Sequence, residues 1–319
     1  MLQTIHVYDE TRVAALRDAL AAALARHDER LDLVALGSRS ELDAARAHVE
    51  VLFASRPPRD GWAGFSRLRL IHLAGAGADG LLPSPDLSSR VAVAGARGLF
   101  AAEASEHVIA ALLAWSRASF TVWDRQRERV WRPFAVERLA GSTLCVVGLG
   151  AIGSRVVRVA SALEMRVRGV CREARTVVGA ERVWSTDDRV AAMEGAQHLA
   201  LCVPSTEATR GLVGTREIGA LARGAFVVSV SRSPVIDASA LRSAIEAGHV
   251  GGASLDCFDT EPLPHDDPWW TTPNVLVTPH HAGFGRAYLE RVAQRVVDNV
   301  RRLDAGEPLV GLVRRDRGY

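Results

Sequence analysis

The chain has 319 residues, 48% of them hydrophobic, enough to bury one large core or two moderate ones. A formal charge of +2 from interspersed acids and bases argues against a nucleic-acid-binding stripe. All 39 basic residues are Arg, which excludes Schiff-base chemistry on a lysine, the usual pyridoxal attachment included.

In chain order, the first 100 residues alternate short apolar runs with helical ones. "TIHVYD", "LDLVAL", "VEVLFAS", "LRLIHLAG" and "VAVAG" read as strands, with "TRVAALRDALAAALARH" and "ELDAARAHV" as helices between them. Such alternation predicts a parallel sheet covered on both faces. From Ala101 to about Arg127 the pattern predicts one long helix, followed by a polar, aromatic segment around "WRPF". A second series opens with "TLCVVGLGAIGSRVVRVASALEM" and adds strands at "RVRGVCR", "HLALCVP", "AFVVSVS", "GGASLDCF" and "NVLVTP". The helical "GRAYLERVAQRVVDNVRRLDAG" closes the pattern. The expected fold class is α/β: two Rossmann-like or flavodoxin-like parallel-sheet domains with a cleft between them. Residues 1–98 with 285–319 are expected to form a substrate-binding domain, and 99–284 a dinucleotide-binding one.

Cys145, Cys171, Cys202 and Cys257 show no CxxC spacing, so neither disulfides nor a metal site is expected. The N-terminus lacks the pattern of a secretory signal, and no apolar run approaches the roughly 18–20 residues of a membrane span. A cytoplasmic protein is the expectation.

"VVGLGAIG" places Gly148, Gly150 and Gly153 in GxGxxG spacing directly after a strand and at the start of a helix, the context a dinucleotide fingerprint requires. Gly148 permits the tight turn, Gly150 lets the backbone approach a pyrophosphate, and Gly153 lets helix and strand pack closely. In NAD sites a carboxylate about 20 residues on holds the ribose 2′-hydroxyl. Here, 18 residues past Gly153, stands Cys171, followed by Arg172, Glu173 and Arg175. Arginine clamps a 2′-phosphate where a carboxylate repels it, so NADP(H) is favoured and NAD(H) stays open. The competing reading is that these are solvated arginines in an Arg-rich chain.

Three later motifs put charged groups past strand ends: Arg232 in "VSVSRSPV", Asp256 and Glu261 in "SLDCFDTEPLP", and His280 in "NVLVTPHHAG". The carboxyl edge of an open α/β sheet lines its ligand crevice, so the three motifs can converge on one substrate. These motifs, the glycine turn, "PSTEATRGLVG" and the 29-residue step from Arg232 to Glu261 resemble the D-isomer-specific 2-hydroxyacid dehydrogenases. "WRPF" and "GEPLVGLVRRDRGY" look more like the NADPH-using glyoxylate/hydroxypyruvate reductase A-like branch.

The resemblance assigns catalysis to Arg232, Glu261 and His280. Arg232 would grip the carboxylate and keto oxygens of a 2-oxo acid through its planar fork. His280 would protonate the developing alkoxide, and Glu261 would fix its tautomer. The family's catalytic His follows Thr-Pro, which selects His280 over His281. The resemblance further implies cofactor contacts from Gly148, Gly150, Ala151, Ile152 and Gly153, and from Arg172, Pro204, Ser231 and Asp256, the last holding the nicotinamide carboxamide. Ala76 and Gly77, in "HLAGAGADG", would receive the substrate carboxylate through their backbone amides, beside Arg232. A homodimer is implied, with Trp131 reaching a neighbouring subunit or else buried structurally; no nucleic acid or membrane partner is. Arg56 and Arg97 would line the site mouth or lie in solvent. Closure between the two domains, with hinges near 94–99 and 282–286, is expected to exclude water.

Departures from the family pattern are Gly95-Ala96-Arg97-Gly98 before the long helix, Ser233 after the Arg, and His281 beside the His. They leave open a bulkier 2-oxo acid. A nucleotide-sensing corepressor is the alternative from another class, disfavoured by the intact Arg, Glu and His set.

Overall fold

The structure is a computed structural model and describes residues 2–27 and 30–319. It divides into two compact units, residues 1–100 with 285–319 and residues 101–284.

The first unit begins with β1 (Thr4–Tyr8), α1 (Val13–Ala25), β2 (Asp32–Leu36) and α2 (Arg39–Ala45). Then come β3 (Val51–Ala54), β4 (Leu70–Leu73) and β5 (Ala92–Ala94). These strands form a parallel sheet in the order β2-β1-β3-β4-β5, a flavodoxin-like order. Ser38 starts α2 by accepting a hydrogen bond from the Glu41 amide, as the sequence Ser-Arg-Ser-Glu suggests. β3 and β4 are buried along their whole length, so neither alternates: β3 is an unbroken apolar run and β4 is interrupted only by buried His72. One face of the sheet packs Ile5, Val7, Val51 and Phe53 against Leu16, Leu20 and Leu24 of α1. The other packs Leu52, Ile71 and Val93 against Leu42, Trp62 and Phe65. Each such side chain contributes about 1.5–3 kcal/mol by leaving water.

The second unit opens with α3 (Ala101–Ser116) and α4 (Ser119–Glu128), correcting the single helix expected over 101–127. Ser116 donates its hydroxyl to the Leu113 carbonyl, and Ala118 turns left-handed at φ 50°. A back-bonding serine followed by a left-handed residue ends one helix and re-aims the next.

Seven parallel strands follow: β6 (Thr143–Val147), β7 (Arg166–Cys171), β8 (Arg182–Ser185), β9 (His198–Leu201), β10 (Ala225–Ser229), β11 (Val250–Leu255) and β12 (Val275–Val277). Between them lie α5 (Ala151–Ala162), α6 (Arg189–Met193), α7 (Thr215–Ala220) and α8 (Ala238–Glu246). Their order, β12-β11-β10-β9-β6-β7-β8, reverses direction at β6 and β9. This is the doubly wound arrangement whose ligand crevice opens at the carboxyl ends beside the reversal. The double glycine that opens β11 has a packing cause. A Cβ at Gly251 or Gly252 would stand 2.8 Å from the Trp115 ring, which itself stacks on Phe226 at 4.7 Å.

The chain then returns to the first unit as α9 (Tyr288–Ala305), whose Val292, Val296 and Val300 join the core under α1. Buried Asn299 on α9 pins the C-terminal segment by bonding both the amide and the carbonyl of Val310. No helix among the described residues is long and apolar enough to cross a membrane.

Candidate functional site

At the carboxyl end of β6, Gly148 turns at φ 96°, a region glycine occupies without strain. A Cβ at Gly153 would sit 1.8 Å from the Gly148 carbonyl oxygen, so the start of α5 can lie against the turn only with glycine there. Gly150 differs: nothing lies within 4 Å of its would-be Cβ. It is the N-cap of α5 and offers no capping side chain. The amides of Ala151, Ile152 and Gly153 thus begin a twelve-residue helix whose positive end faces open space.

Arg172 and Arg175, on the segment after β7, are both exposed. Arg175 donates to the Leu149 carbonyl at 3.0 Å and is thereby tied to the glycine turn. Pro204, after β9, gives its carbonyl to the Thr209 hydroxyl at 2.7 Å. Ser231 is buried, and its hydroxyl accepts from the Val203 amide at 3.0 Å, joining the loop after β9 to the loop after β10.

The ends of β10, β11 and β12 bring the other expected residues together. His280 Nδ1 lies 2.8 Å from Glu261 Oε2, with both side chains partly exposed. Glu261 is itself held by the Phe258 amide, which donates to Oε1 at 3.0 Å. Arg232 is half-buried, with Nη1 donating to the Ser231 carbonyl at 3.0 Å and lying 4.0 Å from Cys257 Sγ. Cys257 therefore stands among all three. One donor atom each from Cys257, Glu261 and His280 falls within 4.8 Å of the others. Burial pushes the Cys257 thiol up to about 12 despite the nearby Arg232 guanidinium.

His280 is presented by a tight local structure. Its amide bonds back to the Thr278 carbonyl across Pro279, and its own φ is 50°, unusual for a non-glycine residue. Asp256, only 2% exposed, fastens this loop from the end of β11. Its carboxylate accepts the Thr278 hydroxyl at 2.6 Å and the amides of His281 and Ala282, each at 3.0 Å. The described hydrogen bonds of the Asp256 carboxylate are thus to the His280 loop. His281 turns its ring edge-on to His107 of α3, with centroids 5.8 Å apart. Burial lowers the His107 imidazole, and Asp256 opposes that shift.

Cys257, Thr278 and His107 were not singled out by sequence reasoning. Their roles depend on contacts across 20 or more residues, which leave no local pattern. Ala76 and Gly77 follow β4 in the first unit. There, exposed Arg97 lies over the Tyr319 ring at 5.0 Å, and Arg56 is exposed. Trp131 is 97% exposed, which overturns its reading as a buried structural Trp.

The chemistry open to this arrangement is proton transfer from a carboxylate-backed imidazole next to a guanidinium. Glu261 accepts from Nδ1–H, leaving Nε2 as the ring atom that gains or loses a proton.

Comparison with known proteins identifies the family. Over 270 residues the chain is 28% identical to glyoxylate/hydroxypyruvate reductase A of Serratia proteamaculans (strain 568), covering 83% of this chain and 86% of that protein. A D-isomer specific 2-hydroxyacid dehydrogenase from Xanthobacter autotrophicus Py2, solved with NADPH and MES, matches with a TM-score of 0.87 at 29% identity over all of both chains. A family protein from Aeromonas salmonicida subsp. salmonicida A449 matches with a TM-score of 0.84 at 27% identity, covering 99% of this chain and 100% of that one. Residues 109–282, more than half of the chain, match the model for the NAD binding domain of the D-isomer specific 2-hydroxyacid dehydrogenases. The chain belongs to that family of NAD(P)-dependent oxidoreductases.

Proposed function

We propose that the protein reduces a small 2-oxo acid of the glyoxylate or hydroxypyruvate kind to its D-2-hydroxy acid, using NADP(H) in preference to NAD(H). The observation that carries this reading is the 2.8 Å Glu261–His280 pair with Arg232 beside it, at the carboxyl edge of a sheet that also bears the glycine turn.

The residues present fit a dinucleotide. Open space over Gly150 and the uncapped start of α5 suit a pyrophosphate. Exposed Arg172, with Arg175 fixed at the turn, suits a 2′-phosphate better than a bare 2′-hydroxyl. The reductase name of the relative at 28% identity and the NADPH in the structure at 29% identity point the same way. When bound, the reduced nicotinamide supplies the hydride.

The chain's own groups do the rest. Arg232 holds the substrate carboxylate and keto oxygen and so fixes the carbonyl carbon for attack. His280, protonated, gives its Nε2 proton to the oxygen as negative charge grows there, which general acids accelerate by about 10²–10⁴-fold. Glu261 keeps the proton on Nδ1. Asp256, through Thr278 and two amides, sets where the imidazole stands. Ala76 and Gly77 are proposed as backbone contacts for the substrate carboxylate. Pro204 and Ser231 shape the cofactor side, Ser231 by holding the backbone after β9.

A homodimer is part of the proposal. α4 and the segment after it expose Trp123 at 64% and Trp131 at 97%, and large exposed aromatics mark association surfaces.

NADPH and NADH oxidation against a panel of 2-oxo acids, glyoxylate through aryl and branched pyruvates, tests the reading. Preference for NADPH and a small acid is expected, and Arg172→Ala should raise the KM for NADPH more than that for NADH. A preference for NADH, or turnover of bulky acids alone, would replace the corresponding assignment.

A further inference from the structure

The proposed reduction has no use for a thiol, yet Cys257 lies 4.0 Å from the guanidinium and within 4.8 Å of the imidazole that it needs. We propose that Cys257, Glu261 and His280 together form a binding site for a thiophilic divalent cation, Zn²⁺ or Cd²⁺, whose occupancy switches the reductase off. The inference rests on the reductase reading for its consequence, and on donor geometry for the site itself.

One sulfur, one imidazole nitrogen and one carboxylate oxygen already lie within 4.8 Å of one another. Glu261 Oε2 and His280 Nδ1, at 2.8 Å, are near the spacing of two ligands on one small cation. Three protein ligands of S, N and O type with a fourth position open to water is a donor set zinc accepts. The sequence gives no hint of it, because the donors come from two loops 19 residues apart rather than from a CxxC pair.

Binding forms bonds from the cation to Cys257 Sγ, His280 Nδ1 and a Glu261 oxygen. The thiol proton passes to solvent, the Nδ1 proton shared by Glu261 and His280 moves to Nε2 of a neutral ring or to solvent from an imidazolium, and no atom changes oxidation state. The cation thus takes the place of the proton on which the acid–base pair depends, which is why binding stops turnover. Two opposing features set the affinity. A thiol must lose its proton to ligate a metal, so binding tightens as pH rises. Arg232 Nη1, 4.0 Å from the sulfur, repels a cation, which keeps binding reversible by a chelator.

The test is titration of the full chain with Cd²⁺, read by its thiolate-to-metal ultraviolet band, alongside Zn²⁺ inhibition of NADPH oxidation. One equivalent should produce the band, ethylenediaminetetraacetate should abolish it and restore activity, and both band and inhibition should strengthen from pH 6.5 to 8. Cys257→Val, close in volume, is compared with its own metal-free activity, so that a change in basal turnover is separated from metal binding. It should lose the band and weaken Zn²⁺ inhibition beyond the roughly 10–100-fold that loss of even an outer partner costs. Cys257→Ser, with a similar shape and a weaker ligand, should fall on the same side. Absence of the band in the unsubstituted protein, or a band and inhibition unaltered in both variants, overturns the site. Failure of the reductase reading would look different: no 2-oxo acid would be turned over, while the Cd²⁺ band would persist.

Discussion

Replacing Thr278 by Val keeps the side chain's volume and removes one hydroxyl. That hydroxyl donates to Asp256 Oδ1 at 2.6 Å, and both residues are buried, at 7% and 2% exposure. A hydrogen bond to a buried charged group contributes about 1.5–3 kcal/mol. The amides of His281 and Ala282 still serve the same carboxylate, so the lower half of that range applies, about 1.5–2 kcal/mol. Part of this is lost stability and part is lost placement of His280, since the Thr278 carbonyl also receives the His280 amide. Urea unfolding followed by far-ultraviolet circular dichroism should show the destabilisation. Steady-state kinetics should show kcat reduced by up to about 10–30-fold, the kinetic equivalent of that energy, with the KM for the nucleotide changed much less. Thr278→Ser, which restores the hydroxyl, should recover most of both losses. A Thr278→Val protein with unchanged midpoint and unchanged kcat would refute the idea that Asp256 positions the catalytic loop.

Two further outcomes follow from the same structure. Gly153→Ala puts a methyl 1.8 Å from the Gly148 oxygen and should cost about 1–3 kcal/mol as an overpacked contact. Gly150→Ala, with nothing within 4 Å, should fold normally yet weaken the fluorescence change on NADPH binding; equal stability losses in the two would be contrary evidence. Acid should also weaken the fold. Burial pushes the His72 imidazole down to about 3 and that of His198 down to about 4, so each is neutral when folded and takes up a proton on unfolding. Their contribution is complete above pH 6.5 and is lost as pH falls toward those values, at about 1.4 kcal/mol per pH unit for each histidine. His72→Asn should flatten the stability slope of its unit between pH 6 and 5; an unaltered slope would show that His72 is not the source.

Most of the fold was legible because its signals are local. Buried strands such as β3 and β10 are continuous apolar runs, and the GxGxxG spacing places three glycines where a strand turns into a helix. β8 was missed since Arg-Val-Trp-Ser neither alternates nor runs apolar, and it lies half-exposed at the sheet edge with Arg182 over the Trp184 ring. The break between α3 and α4 was missed for a related reason. Helical periodicity continues through it, while a serine back-bond and one left-handed alanine interrupt the backbone. In the site, Arg232, Glu261 and His280 could be named from motif and spacing. What could not be read was the part Asp256 plays in fastening the His280 loop, or the place of Cys257 among all three. Those depend on loop conformations at the ends of β11 and β12 that the sequence determines only through the whole sheet.

The turnover number of His280→Ala against the unsubstituted protein, in NADPH-linked reduction of glyoxylate, tests the role of His280 most directly. Loss of the general acid predicts a fall of about 10²–10⁴-fold, with the fold and NADPH binding intact. A variant that turns over within a few-fold of the parent would place the proton donor elsewhere and contradict the mechanism.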